Sequence, residues 1–170
     1  YGILSCPLYR ETFEHALGID FPRIPFTPDF LLFHQMAVLG ERLTHLHLLE
    51  FKDNRDWATK FEIEGDNTVI KGGFVPTQNV TGADGKEETV IGNVFINNRQ
   101  CFSRVPLTVW DFEMGGYKVL DKWLKDRRGH TLNHRDIRHF IKIIECLRQT
   151  IRCQEKVDAV FDKILGPVNG

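Results

Sequence analysis

Long apolar runs are absent from this chain, so no membrane span can be drawn through it. Its first residues lack the basic, apolar and small-residue succession of a signal peptide. Cysteine is sparse: Cys6, Cys101, Cys146 and Cys153 stand apart, with no CxxC pair and no zinc-ligand spacing. Neither a disulfide framework nor a metal site is expected, and the thiols read as free ones in a cytoplasmic protein. Glycine-rich phosphate loops are missing too. Gly115-Gly116 is not followed by the third glycine of a dinucleotide fingerprint, and no G-x-x-x-x-G-K-[ST] occurs. The chain begins at Tyr1 without a methionine and is expected to be a piece of a longer protein.

Strong net charge is also lacking. The formal value of −1 argues against a polyanion partner until the distribution is read. Residues 115–156 hold eleven Lys and Arg against five Asp and Glu, a local balance of +6 that leaves −7 elsewhere. Such a split creates a local positive field in a nearly neutral protein. The alternative is that these charges spread around two helices and form no patch.

What is present points to an α+β chain. Cys6-Pro7 opens a first short helix, with proline at a position where its missing N–H costs nothing, and Gly18 ends it. The prolines of Ile19-Asp20-Phe21-Pro22-Arg23-Ile24-Pro25-Phe26 forbid a helix and predict a stiff apolar connector across a core. Arg23 in it either pairs with a carboxylate of the chain or reaches a ligand. Thr27-Pro28-Asp29 starts a long helix to about Glu50, with Phe30, Phe33, Ala37, Leu43, Leu46 and Leu49 as its packed face and Gly40 as a weak middle. His45 and His47 diverge by about 200° on that helix and cannot share a metal.

From Lys60 to Pro106 short β-branched and aromatic runs (Phe61/Ile63, Val69/Ile70, Phe74/Val75, Val90/Ile91, Val94/Phe95/Ile96) alternate with turn formers. They predict an antiparallel sheet of three to five strands. The longest polar excursion is Thr81-Gly82-Ala83-Asp84-Gly85. A second long helix is predicted from His134 to Leu165, opened by the capping-box spacing of Asn133 and Asp136. The whole is expected to be a single domain, 1–170. Long helices at both ends pack together as one lobe (1–57 and 107–166), and a small antiparallel β-rich insertion, 58–106, lies between them.

The most distinctive block is Val109–Leu132. Gly115-Gly116 reads as a strand-to-helix turn, and Gly129 as the cap of a helix over 117–128 of about three turns. On that helix Tyr117, Leu120, Trp123 and Leu124 form the apolar stripe. Lys118, Lys122, Lys125, Arg127 and Arg128, followed by Arg135, are candidates for DNA phosphate contact; the bland alternative is a solvated amphipathic face. Asn97, Asn98, Arg99 and Gln100 follow a strand and carry amide and guanidinium groups suited to base edges, or else form an exposed turn.

Four segments, CPLYRETFEHAL with IDFPRIPF, LGERLTHLHLLE, CFSRVPLTVWDFEMGGYKVLDKWLKDRRGHTL and DIRHFIKIIECLRQTI, resemble in order and spacing the C-terminal specificity region of type ISP restriction–modification polypeptides. The resemblance covers most of the chain. Met114 departs from the usual aliphatic residue before Gly-Gly, and His130 stands where a basic residue is frequent, which weakens a phosphate role there. It implies a DNA target-recognition module positioning DNA for adjoining adenine-N6 methyltransferase and nuclease parts, with double-stranded DNA and the other domains of the polypeptide as partners and no membrane. It implies no active site and no cofactor within these residues; S-adenosylmethionine, ATP and Mg2+ belong to the parent protein. The alternative is a non-enzymatic helical scaffold docking the methyltransferase and ATPase domains without base readout.

Overall fold

The computed structural model describes residues 1–52, 57–81 and 88–166. The chain divides into two compact units, Tyr1–Phe51 with Gln149–Gly170, and Lys52–Arg148. No helix among the described residues is long and apolar enough to cross a membrane.

The first unit is helical. After a 3-10 turn at Ile3–Ser5, α1 (Pro7–Thr12) starts as expected, with Cys6 as its cap: the thiol sulfur accepts from the Tyr9 N–H at 3.3 Å. The same thiol donates to Asp158 Oδ1 at 3.0 Å, which also accepts from the Leu8 N–H at 3.1 Å. α2 (Glu14–Leu17) ends at Gly18. Helix α3 (Phe30–His47) is capped not by Thr27 but by Asp29, whose carboxylate accepts from the N–H groups of Leu31 and Leu32 at 2.8 and 3.2 Å. It stops at Leu48, short of Glu50, and Leu49 then takes a left-handed φ of 56°.

The buried face of α3 is Met36, Gly40, Leu43 and Leu46, so the predicted stripe holds only in its last two turns. Phe30, Phe33 and Ala37 are exposed. Gly40 is a point of close approach rather than a weak spot, because a Cβ there would lie 2.8 Å from the Gly2 nitrogen. The connector also departs from expectation: Ile19, Phe21 and Phe26 are exposed instead of lying across a core. Arg23 does find its carboxylate, Asp20, at 3.2 Å, though both are on the surface. The C-terminal part of α6 (His134–Leu165) supplies the other wall of this unit, with Cys153, Val157, Val160 and Phe161 buried and the Cys153 thiol 3.8 Å from the Leu39 carbonyl.

Burial, with Asp158 accepting its proton, pushes the Cys6 thiol from 9.0 up to about 12. The folded state therefore holds a proton that the unfolded chain releases above pH 9. This contribution to stability is complete below that pH and is lost as pH rises toward 12. Denaturation midpoints should fall between pH 9 and 11, and Cys6→Ala should make that fall shallower; an identical slope in the variant would sink the assignment.

The second unit contains a three-stranded antiparallel sheet in the order β1 (Gly73–Thr81), β2 (Glu88–Phe95), β3 (Cys101–Pro106). β1 and β2 pair from Gly73↔Phe95 to Thr81↔Glu88, with a bulge between Pro76 and Gln78. The loop Gly82–Gly85 lies outside the described residues. Gly92 must be glycine: the Phe74 ring crosses it, and a Cβ would come within 2.4 Å of Phe74 Cζ. The runs at Phe61/Ile63 and Val69/Ile70 do not become strands of this sheet. Val69 is buried, but its backbone bonds to the segment at 129–130, through His130 O at 3.0 Å and Gly129 N at 2.8 Å.

After α4 (Leu107–Trp110), the Gly-Gly pair forms a hairpin turn rather than a strand-to-helix turn. β4 (Glu113–Met114) pairs with β5 (Tyr117–Lys118), and Gly115 and Gly116 have φ of 60° and 80°. Two successive positive φ values are what a two-residue hairpin loop requires, and glycine adopts them without strain. Helix α5 is thereby confined to Val119–Lys125, and Tyr117 sits exposed on the hairpin instead of in the apolar stripe. Leu120 and Leu124 are buried as expected, and Gly129 is left-handed at φ 78°.

Helix α6 opens with the reciprocal cap its sequence promised: Asn133 N–H donates to Asp136 Oδ2 and Asp136 N–H donates to Asn133 Oδ1, both at 3.0 Å. Its residues up to Arg148 pack in the second unit. Phe140 lies there between Phe102 and Trp123, with ring centroids 4.6 and 4.5 Å away.

Candidate nucleic-acid interface

The six predicted phosphate contacts do not form one surface of like charge. Lys118 meets Asp111 at 2.6 Å, Lys122 meets Asp126 and Lys125 meets Asp121, both at 2.5 Å. The last two are i, i+4 pairs along α5 or its end, a spacing at which helical side chains are neighbours. The Asp111 hydrogen bond raises the pKa of Lys118. Arg127 turns back: its guanidinium carbon lies 3.7 Å over the Trp123 ring and one nitrogen donates to the Trp123 carbonyl at 3.2 Å. Arg128 and Arg135 are exposed. Three of the five cations between 118 and 128 therefore stand beside an aspartate.

Arg135 belongs to a different grouping. On α6 the positions 134, 135, 138, 139 and 142 fall within an arc of about 140° at 100° per residue. There His134, Arg135, Arg138, His139 and Lys142 line one concavity of about 360 Å³. The buried residues Phe140, Ile144 and Leu147 occupy the opposite arc. Asp136 is the one acid between 134 and 142, and its carboxylate is engaged in the helix cap. Further along, Arg148 turns inward: it pairs with Glu145 at 3.6 Å and donates to the Arg104 carbonyl at 3.1 Å. The basic strip anticipated along the helix thus narrows, within this unit, to its first three turns.

The predicted base readers divide in two. Gln100 is buried, 1% exposed. Its Oε1 accepts from the Asn67 N–H at 2.9 Å and from Asn97 Nδ2 at 3.0 Å, while its Nε2 donates to the Ile63 carbonyl at 2.9 Å and to Asn67 Oδ1 at 2.7 Å. Asn97 accepts from the N–H groups of Arg99 and Gln100 at 3.0 and 2.7 Å and donates to the Thr68 carbonyl at 3.1 Å. These two amides lock the 63–68 segment to the β2–β3 connection and offer no free edge to a base; a buried amide in such a network is costly to disengage. Asn98 and Arg99 remain exposed on the turn.

His134, Arg138, His139 and Lys142 were not among the predicted site residues. Their signal was in plain view as basic residues at 134/138/142 and 135/139, the i, i+4 repeat of one helix face.

No curated protein matches the chain. Solved structures that share its fold include three DNA complexes. A nuclease-deletion mutant of the type ISP restriction–modification enzyme LlaGI in complex with a DNA substrate mimic superposes with TM-score 0.60 at 20% identity over 91% of this chain and 13% of that one. The ATP-dependent type ISP restriction–modification enzyme LlaBIII bound to DNA gives 0.62 at 14% identity over 92% and 11%. The DrdV–DNA complex gives 0.52 at 22% identity over 95% and 17%. The chain therefore spans less than a fifth of each of these proteins. The type ISP C-terminal specificity domain matches residues 1–156, and the chain belongs to that family.

Proposed function

We propose that this domain holds and reads duplex DNA on behalf of a larger restriction–modification polypeptide. The observation that carries the reading is the basic concavity on α6, where three permanent cations and two histidines share one face. Phosphate contacts supply most of the affinity of such modules and fix their register, while base contacts supply specificity. Arg135, with Arg138 and Lys142 beside it, forms the main phosphate contact, and Arg128 a flanking one. Lys118, Lys122, Lys125 and Arg127 lie outside that concavity and are flanking contacts. Surface ion pairs are worth only about 0–1 kcal/mol, so an incoming phosphate can share those lysines without large cost.

The chemistry belongs to other parts of the polypeptide, an adenine methyltransferase and a nuclease with its ATPase, together with S-adenosylmethionine, ATP and Mg2+. Among the described residues no three His, Cys, Asp or Glu side chains gather as a metal set.

A scaffolding reading has its own support. In the helical unit Phe21, Phe26 and Phe30 are exposed by 89, 80 and 78%, beside a hollow of about 380 Å³ lined in part by Ile24, Phe26, Phe33 and Met36. Exposed aromatics of this kind are found at contacts with other domains. The two readings are compatible, with one unit docking and the other holding DNA.

Differential lysine labelling of the parent polypeptide with and without duplex DNA tests the DNA reading. Lys142 should be protected more strongly than Lys122 and Lys125. If no lysine between 118 and 142 changes its labelling, DNA does not lie on this unit and the scaffold reading stands alone.

A further inference from the structure

We propose that Arg99, on the turn between β2 and β3, selects a G·C pair by reading the guanine edge in the major groove of duplex DNA. This rests on the DNA reading above and names the residue that selects sequence.

The turn that carries Arg99 is held from beneath. Asn97 Oδ1 accepts from the Arg99 N–H at 3.0 Å, and Gln100, on the other side of Arg99, is buried and hydrogen-bonded to Ile63, Asn67 and Asn97. Gly65 passes Gln100 so closely that a Cβ there would lie 2.5 Å from its Cδ. Between two such anchors the backbone of Arg99 is fixed, and only its exposed side chain adjusts. A reader gains from this arrangement, because the loop is ordered before DNA arrives. Among the described residues no carboxylate pairs with the Arg99 guanidinium, in contrast to Lys118, Lys122 and Lys125.

The same turn is tied to the proposed phosphate contacts through the extended segment 67–70. On one side of that segment the Gly129 N–H donates to the Val69 carbonyl at 2.8 Å and the Leu132 N–H to the Asn67 carbonyl at 2.9 Å, so the chain from Arg128 toward Arg135 runs along it. On the other side Asn97 Nδ2 donates to the Thr68 carbonyl at 3.1 Å, and the Ile70 N–H donates to the Ile96 carbonyl at 2.8 Å. Neighbouring extended segments lie about 5 Å apart, which puts the Arg99 turn roughly 10 Å from the chain that carries Arg128. The major groove of B-DNA is about 12 Å wide, so a side chain at that offset from phosphates held by Arg128 and Arg135 lies over the groove. An arginine fork pairs bidentately with guanine O6 and N7, the commonest specific contact to a base. Asn98, also exposed, has the shorter side chain. Glu62 and Glu64 are exposed on the segment that Gln100 holds through Ile63, and they offset the attraction of this side of the unit for phosphate. Arg99 therefore contributes to selection more than to grip.

The experiment uses the parent polypeptide and a randomised duplex pool enriched by binding to it. Arg99→Ala should reduce the preference for enriched over random duplex by about 5- to 150-fold. Affinity for random duplex, its salt dependence and the denaturation midpoint should stay where they were. Arg99→Gln should move the preference at one position from G·C toward A·T, because a primary amide pairs with adenine N6 and N7; neither a structural role nor a phosphate contact produces that change. Full selectivity in Arg99→Ala, or equal loss for enriched and random duplex, overturns the proposal. If those results come with normal weakening by substitutions on α6, the reading by Arg99 alone is refuted. A parent protein whose duplex binding ignores both Arg99 and the α6 residues refutes the DNA reading together with it.

Discussion

Replacing Arg135, Arg138 and Lys142 together by glutamine should flatten the salt dependence of duplex binding by nearly three units of log K per log salt. Each phosphate contact on B-DNA contributes about 0.9 through release of condensed counterions, so three contacts account for about 2.7. Glutamine is a good helix former, and exposed helix positions tolerate it within about 0.5 kcal/mol, so the loss will not come from unfolding. The same measurement on Lys122→Gln with Lys125→Gln should change the slope by less than about one unit, because both lysines lie outside the α6 concavity. A triple variant with the parent slope would remove α6 from the interface. A double variant that lost as much as the triple would return the main contact to α5.

The second large effect is structural. Phe140→Ala should destabilise the strand-bearing unit by about 3–5 kcal/mol, the usual range for deleting a fully enclosed phenylalanine. Phe140 is wholly buried, and its ring touches both Phe102 of β3 and Trp123 of α5. It thereby fixes the helix that carries Arg135, Arg138 and Lys142 to the three-stranded sheet. Urea denaturation followed by tryptophan fluorescence reports it directly, since Trp123 is one of the contacts. Phe140→Leu should lose clearly less, because most of the volume is kept. A loss below about 1 kcal/mol for alanine would mean that the site collapses around the smaller side chain and that the anchor lies elsewhere.

How far the fold could be read in advance followed the range of the interactions concerned. Caps depend on residues within one turn, so Cys6-Pro7 and the Asn133/Asp136 box were legible and both formed. The helix at 134–165 was legible from its seam. Periodicity does not say what covers a face, however, and Phe30 and Phe33 kept the helical pattern while remaining exposed. Gly115-Gly116 was legible as a turn, but whether it led into a helix or closed a hairpin depended on Glu113 and Met114 pairing with Tyr117 and Lys118, which is not a periodic signal.

At the candidate site the limits were of two kinds. Gln100 was misjudged because its partners Ile63 and Asn67 lie more than thirty residues away, and no local pattern reveals a buried amide network. The pairing of the α5 lysines was hidden for a different reason: Asp121 and Asp126 stand at i, i+4 spacing from them, but a regional charge count does not pair its members. The α6 cluster was visible as spacing and was outweighed by the prominence of the Gly-Gly block.

The aspartates beside those lysines bear on how such a protein finds its target. A chromosome offers millions of wrong sites for each right one, and a domain that clings everywhere is titrated away from the sequence it must find. On the DNA reading proposed above, Asp111, Asp121 and Asp126 lower the local charge around Lys118, Lys122 and Lys125 and so trim the sequence-independent part of the domain's grip. Removing the aspartates would make a stickier protein and a slower searcher.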